Sequence, residues 1–446
     1  MTDPDAETFP LLGSTYEYDG RYRWVALFLM CLASLGSSYC YHNPAALQDV
    51  LMRDLKITSS TFTSFYSWYS WPNVVLCLFG GILTDRLGRR SSICLFSSLV
   101  LCGQLTFALG AMFAKVWLMQ LGRIIFGIGG ESLGTVINTF LASWFFSREL
   151  NFAFGFRVSF ARVFSSINMY LTRPLFISLN PYFSASHQIG MTYLILVLVC
   201  LTSLLAAIAL CLLDKHRVGN NPQLLNSQNV SISSLKNVVK LPGHLYLVSL
   251  ICLCYYVSIF PFIAVGVKFF QLRYGLSAQF AGFIDSCILM SSAIVAPIIG
   301  AAVDKVGRNL LFITLSIIGT FIAHAMMAFS FIHPLVAMII FGFSFSFMSA
   351  FFWPIIVIIV PQSKIGTAYG LMFAMQNLGM ALMNMSSGYI IDYRGYFSLQ
   401  ITMMTLVLYA LMFNLQLVNL DKRKGGCLNL SVKQRISALK ATPSCT

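Results

Sequence analysis

The sequence predicts an all-α membrane protein of twelve transmembrane helices in two pseudo-symmetric six-helix halves, and three observations predict it. The 446-residue chain is 57% hydrophobic and only 10% charged, with mean hydropathy +0.77, a composition foreign to a water-soluble globular domain. Apolar runs of about 20 residues, the length that crosses a bilayer, recur from Tyr22 to near Val418. A ten-residue charged pattern closing the second run returns at the end of the eighth, 219 residues later. Backbone groups in hydrocarbon must be paired within their own segment, so the runs are helices.

In chain order the expected spans are 22–42, 63–84, 91–113, 117–140, 150–172 and 190–213, then 244–267, 279–303, 310–331, 334–360, 366–390 and 396–418. This divides the chain into a tail (1–21), a first half (22–213), a polar linker (214–243), a second half (244–418) and a basic tail (419–446). The linker, with Asn220, Asn221, Pro222 and Gln223 and a short helix expected at 235–239, has a flexible composition. With both termini cytosolic, 19 of the 29 Lys and Arg fall on cytosolic segments, seven on the opposite face and three inside spans. That asymmetry sets the orientation by the positive-inside rule. Much of the +14 net charge lies in the tail, at Lys422, Arg423, Lys424, Lys433, Arg435 and Lys440, where it faces anionic lipid rather than nucleic acid. Asp3, Asp5 and Glu7 precede the first run, so no basic leader stands there. The twelve Cys lie mostly within spans without a CxxC pair, which supports neither a disulfide framework nor a metal site. No nucleophile or cofactor constellation marks an enzyme.

The repeated pattern reads Gly81-Ile82-Leu83-Thr84-Asp85-Arg86-Leu87-Gly88-Arg89-Arg90, and again Gly300-Ala301-Ala302-Val303-Asp304-Lys305-Val306-Gly307-Arg308-Asn309. It resembles the signature of the major facilitator superfamily, closely in the first copy and degraded in the second. Physically it is a latch: Gly81 lets helices approach, and Asp85 sits against the positive end of a facing helix starting near Gly366. Arg89 and Arg90 then hold that carboxylate and the lipid face. Asp304 and Arg308 repeat the device in the second half. The resemblance implies two halves that rock about a midplane site. Tyr39-Cys40-Tyr41-His42-Asn43-Pro44, Trp68-Tyr69-Ser70-Trp71-Pro72-Asn73 and Gly127-Ile128-Gly129-Gly130-Glu131-Ser132, with Gly366-Thr367-Ala368-Tyr369-Gly370 and Gln376-Asn377-Leu378-Gly379, narrow it. These are similar to the animal lysosomal dipeptide uniporters of the superfamily.

Charge at the bilayer centre costs about 2.5–3.5 kcal/mol on insertion scales and so needs a partner or a purpose. Glu131 stands roughly 21 Å along the fourth span, and Arg162 is near mid-membrane on the fifth. Two readings stand: a structural ion pair between them, or separate contacts to a zwitterion, Glu131 to the ammonium and Arg162 to the carboxylate. The resemblance places binding roles on these two positions. Arg123 begins an Arg-x-x-x-Gly pattern with Gly127 and reads either as a gate-coupling group or as a snorkelling one. Arg157 departs from the resembling family, where an uncharged residue is expected, and reads as a gate charge or a local substitution. His324 reads as a hydrogen-bonded structural group. Candidate cavity residues are Tyr66, Trp71, Asn138, Asn168, Tyr255, Tyr256, Trp353, Gln376 and Asn377, each of which can equally serve helix packing. The first span carries no acid between Tyr22 and Asn43, which favours uniport over proton coupling.

Glu7, Leu11 and Leu12 form an acidic dileucine pattern that clathrin adaptors could read from a short tail, directing the protein to the lysosomal membrane. The N-x-S/T matches, Asn229, Asn384 and Asn429, all fall in segments closed to luminal glycosylation. The resemblance therefore implies a heavily glycosylated single-span accessory subunit on the luminal loops. Export of dipeptides is the reading expected; a carrier of another small zwitterion or amino acid, or a non-transporting receptor or scaffold on the same fold, are its alternatives.

Overall fold

Unbroken apolar runs with few internal breakers give long helices, and the computed structural model contains little else. It describes residues 22–430 except 146, 181, 183–184, 221–242, 307, 361–364 and 424–425. The first half holds α1 (Tyr22–Cys40), α2 (Ser59–Leu87), α3 (Arg89–Met112), α4 (Val116–Trp144), α5 (Ser147–Ser178) and α6 (Ala185–Asn220). The second holds α7 (Gly243–Tyr274), α8 (Ala278–Val306), α9 (Asn309–Phe329) and α10 (Pro334–Ile359). A last helical run, Ile365–Arg423, breaks at Gly395, whose φ of 78° and ψ of 176° suit a residue without a side chain. That break separates α11 (365–394) from α12 (396–423).

Every expected span coincides with one of these helices, most of them longer than the apolar run alone. Two differences matter. α6 continues to Asn220, so residues 214–220, expected in the linker, are helical; the short helix expected at 235–239 lies outside the described residues. Two short helices, Asn43–Ala46 and Gln48–Asp54, fill the connection between α1 and α2. Among the described residues nine helices are long and apolar enough to cross a membrane, with α11 and α12 counted as one. The helices that miss that measure are α2, with a run of Ser, Thr and Tyr, and α5, with Arg157, Arg162 and Arg173. Both stand between the halves, where polar residues are used.

The helix pairings repeat across the halves. In the first, α2 packs on α4, α3 on α4 and α3 on α6; in the second, α8 packs on α10, α9 on α10 and α9 on α12. Glycines bring α3 and α4 to backbone contact: an added methyl at Gly103 would collide with the backbone of Phe126, and one at Gly122 with that of Phe107. The halves meet along two equivalent seams, α2 against α11 and α5 against α8. On the first, the Ser59 and Ser60 amides donate to the Asp392 carboxylate at 3.0 and 2.9 Å, and the Ser60 hydroxyl donates to it at 2.5 Å. Deeper in, the Ser67 hydroxyl donates to the Ala381 carbonyl at 2.6 Å. On the second, the Ser166 hydroxyl donates to the Ser286 carbonyl at 3.2 Å. These bonds run from the face opposite the chain termini to mid-depth, and that end of the molecule is closed.

Candidate functional site

α4 turns a stripe of Glu131, Gly134, Thr135 and Asn138 away from its packed face, where Leu133, Val136, Ile137 and Phe140 are fully buried. The spacing of three and four residues keeps this stripe on one side of the helix. Among the described residues, Glu131 takes one hydrogen bond, from the Tyr69 hydroxyl to Oε1 at 3.1 Å. Tyr69 was not among the candidates drawn from sequence; its place three residues after Tyr66 on α2 was the available signal, since the two rings then share a helix face.

α5 supplies two guanidinium groups that point differently, because five residues turn a helix by about 140°. Arg157 stays with the first half: its Nη1 donates to Asn138 Oδ1 at 2.8 Å, and its Nη2 lies over Gly134, where a Cβ would be 3.5 Å away. Arg162 reaches the second half: its Nη1 donates to the buried Ser292 hydroxyl at 2.6 Å, and the guanidinium lies 4.6 Å from the Phe345 ring centroid. Ion pairs among the described residues are Arg53–Asp54, Arg89–Asp214, Arg90–Asp214 and Arg173–Asp49. Glu131 and Arg162 are not paired with each other, so the structural ion pair considered from the sequence is absent. Among the described residues each keeps acceptor or donor capacity unused, on different elements.

The second half faces Arg162 with an aromatic wall. Trp353 Nε1 donates to the Tyr256 hydroxyl at 2.8 Å, Tyr256 stacks on Phe260, and Trp353 stacks on Phe373 and Tyr369. Phe345, which carries Arg162, packs edge-on against Tyr256. Gln376 is half-buried with its Oε1 lacking a partner among the described residues, and Trp71 is half-buried on α2. Asn377 instead sits in the α2–α11 seam, its Nδ2 donating to the Phe373 carbonyl and lying 3.7 Å from Cys77 Sγ.

Three expected cavity residues are elsewhere. Tyr66 is buried with its hydroxyl accepting from the Ala45 amide at 3.0 Å. Tyr255 is bonded to Thr320 at 2.9 Å inside the second half, and Asn168 donates to Asn43 at 2.7 Å inside the first. The Tyr66 and Tyr255 hydroxyls and the Asn168 Nδ2 are used in helix packing, while Asn168 Oδ1 is buried without a partner among the described residues. His324 is a packing group likewise, bonded to Gln400 at 2.7 Å and wedged between Phe262 and Phe341.

Arg123 is 1% exposed and does not snorkel. It donates to the carbonyls of Phe65, Tyr41 and Cys40 at 3.3, 3.1 and 3.5 Å, with Tyr41, Tyr66, Tyr69, Phe107 and Phe126 around it at 5.1–5.9 Å. These cation–π contacts and carbonyls replace the water the charge gives up. Tyr69 joins this cage to Glu131.

At the terminus-bearing face Arg89 and Arg90 bind Asp214 of α6, at 2.7 and 2.6 Å. The sequence suggested Asp85 as their carboxylate; the side chains of Gly81, Asp85 and Asp304 are outside the described set, and it was the helical extension of α6 that brought Asp214 within reach. Arg308 is exposed with φ 55°, and its amide donates to the Asn429 carbonyl at 2.9 Å. Glu7, Leu11 and Leu12 also lie outside the described residues.

Compared with known proteins, the chain matches the family model of the Major Facilitator Superfamily over residues 26–384 and 248–426. It is 40% identical over 458 residues to the lysosomal dipeptide transporter MFSD1 of Mus musculus, covering 98% of each chain. To the protein of that name in Homo sapiens it is 41% identical, over 93% of this chain and 90% of the other, and to that of Danio rerio 39%, over 94% and 91%. The fold is similar to the proton:xylose symporter XylE, with TM-score 0.65 at 15% identity over 90% of this chain and 96% of that one. It is similar also to the nucleoside transporter NupG, with TM-score 0.60 at 16% identity over 88% and 99%. Repeated helix pairings, two equivalent seams and near full-length likeness agree, and the chain belongs to the major facilitator superfamily.

Proposed function

We propose that this protein is a lysosomal dipeptide uniporter that exports dipeptides to the cytosol by alternating access. The observation that carries the reading is the separation of two opposite charges: Glu131, whose carboxylate among the described residues accepts one hydrogen bond, from Tyr69, and Arg162, held by Ser292 against Phe345. A zwitterion offers the missing partners, its ammonium for Glu131 and its carboxylate for the planar fork of Arg162. Those two groups are common to all dipeptides, so the pair tolerates any side chain, while Tyr256, Trp353 and Phe345 supply apolar walls for it. The names of the vertebrate relatives point to the same substrate class and compartment.

In this reading the charge density places both termini in the cytosol. The Asp392–Ser60 seam is then the luminal gate, closed here, and Arg89, Arg90, Asp214 and the Asp85, Asp304 and Arg308 signatures act at the cytosolic gate. Arg123 couples site to gate, because its cage includes both Tyr69, which bonds Glu131, and the Cys40 and Tyr41 carbonyls at the luminal end of α1. Glu7, Leu11 and Leu12 engage clathrin adaptors, and a glycosylated single-span lysosomal subunit covers the bare luminal loops. The protein is a carrier and catalyses no reaction.

The test is uptake of labelled Ala-Ala into liposomes holding the purified chain, with and without a pH gradient. Saturable uptake indifferent to the gradient, and lost in Glu131→Gln and in Arg162→Ala, is expected. Gradient-driven accumulation would replace uniport by symport; uptake of single amino acids in preference to dipeptides would favour the smaller zwitterion.

A further inference from the structure

We infer that Arg157 makes the site selective for dipeptides whose first residue carries an acidic side chain; this rests on the dipeptide reading above. Arg157 is half-buried on the membrane-spanning helix α5, nearer the terminus-bearing face than Arg162 and level with Asn138 of α4, a placement that requires a purpose. Among the described residues it has one hydrogen bond, Nη1 to Asn138 Oδ1, and its Nε is buried without an acceptor. The guanidinium therefore holds donors in reserve. Gly134 leaves room on the stripe of α4 for the Arg157 guanidinium, whose Nη2 would be 3.5 Å from a Cβ there, and Glu131 stands one turn away on that stripe.

Charge balance gives the ligand's class. Among the described residues the half-buried charges on the central turns of α4 and α5 are Glu131, Arg157 and Arg162, one anion and two cations. Arg123 belongs to its own cage of carbonyls and rings, and Asp285 is fully buried on α8 against Gly266, two turns from Ser292 toward the closed end. A neutral zwitterion engages Glu131 and Arg162 and leaves one cation over. A side-chain carboxylate would neutralise it through a charge-assisted bond, stronger than a neutral one.

Position within the dipeptide follows from which charge Arg157 accompanies. It packs on α4 beside Glu131, which takes the substrate ammonium, whereas Arg162 is turned toward the second half. The side chain next to the ammonium, on the first residue, is the one within its reach. A cationic side chain at that position meets like charge in a low-dielectric site and is disfavoured.

The experiment is competition against labelled Ala-Ala uptake in proteoliposomes of the full chain, comparing Asp-Ala with its isosteric amide Asn-Ala, and Ala-Asp with Ala-Asn. In the wild type Asp-Ala is expected to compete at roughly tenfold lower concentration than Asn-Ala, with a smaller difference for the second pair and Lys-Ala weaker than Asn-Ala. Arg157→Gln should bring Asp-Ala and Asn-Ala together while Ala-Ala uptake continues, and Arg157→Lys should retain most of the preference. Equal competition by Asp-Ala and Asn-Ala in the wild type overturns the assignment without any variant having to fold, as does a preference that survives in Arg157→Gln. Absence of saturable Ala-Ala uptake by the wild type overturns the dipeptide reading itself, and this assignment with it.

Discussion

The two halves share their helix pairings and differ in what they bring to the midplane. The first half carries the charges, Glu131, Arg157 and Arg162, with Arg123 caged behind them. The second offers aromatic rings, Tyr256, Phe345, Trp353 and Phe373, and hydroxyl or amide groups such as Ser292. The scaffold is thus repeated while the side chains it carries toward the midplane are not. In the proposed reading the charged half fixes a substrate's ends and the ring-lined half adapts to its middle, because π faces and apolar area accept many shapes and a carboxylate does not.

The comparison is broken most severely by removing the charges. Glu131→Gln and Arg162→Ala each lose charge-assisted contacts and are expected to lower dipeptide uptake on the order of tenfold to a hundredfold with little change in thermal stability. Equal uptake in either variant would mean that the charges are inherited packing groups. Arg123→Ala should act on stability instead. It leaves the Phe65, Cys40 and Tyr41 carbonyls without a donor and a void among five rings, a cost of roughly 3–5 kcal/mol, read as a lowered melting temperature in detergent.

Gly388→Val sharpens the view of the seam. A side chain at Gly388 would collide with the Ser60 backbone and the Thr63 hydroxyl, so the closed end cannot form and transport should fall several-fold while ligand still binds. Distances between labels placed at Thr61 and Met385 would lengthen. In the second half, Trp353→Phe keeps the ring and loses the bond to Tyr256; the expected result is a two- to fivefold rise in KM with the maximal rate preserved.

The smallest effect is at Asp392. Partial burial pushes its carboxyl up, but the Ser60 and Ser59 donors outweigh it and hold it below the ordinary carboxylate value of 3.8. A depressed value means the ionised seam contributes fully above about pH 4 and loses that contribution only as pH falls through the lower, folded value. The same label pair should therefore report an unchanged closed end between pH 7 and 4.5 and opening only under stronger acid. Opening near pH 5.5 would contradict this.

Much of the fold was legible because its solvent is lipid. Twelve apolar runs, a duplicated signature and the asymmetry of basic residues are linear properties, and each expected span is a helix. The extension of α6 to Asn220 was not, because Asp214, Lys215 and Arg217 end an apolar run without ending a helix. In the site, charges at forbidden depth singled out Glu131 and Arg162, since hydrocarbon penalises them wherever the chain folds. Tyr66, Tyr255 and Asn168 could not be sorted from Tyr256 and Trp353, for a buried tyrosine reads the same in sequence whether its hydroxyl meets a backbone amide, as in Tyr66, or the Trp353 indole, as in Tyr256.

The sequence by itself determined the class, the number and order of the helices, their repeat, and which residues carry charge into the membrane. Those follow from transfer free energy, which acts residue by residue. Only the tertiary structure decided that Glu131 and Arg162 stand apart rather than paired, that Arg157 turns to Asn138 while Arg162 crosses to Ser292, that Arg123 lies in a ring cage, and that Asp392 closes one end against Ser60. Partners of that kind are set by helix rotation and seam register, and those depend on where glycines let backbones touch across the whole bundle.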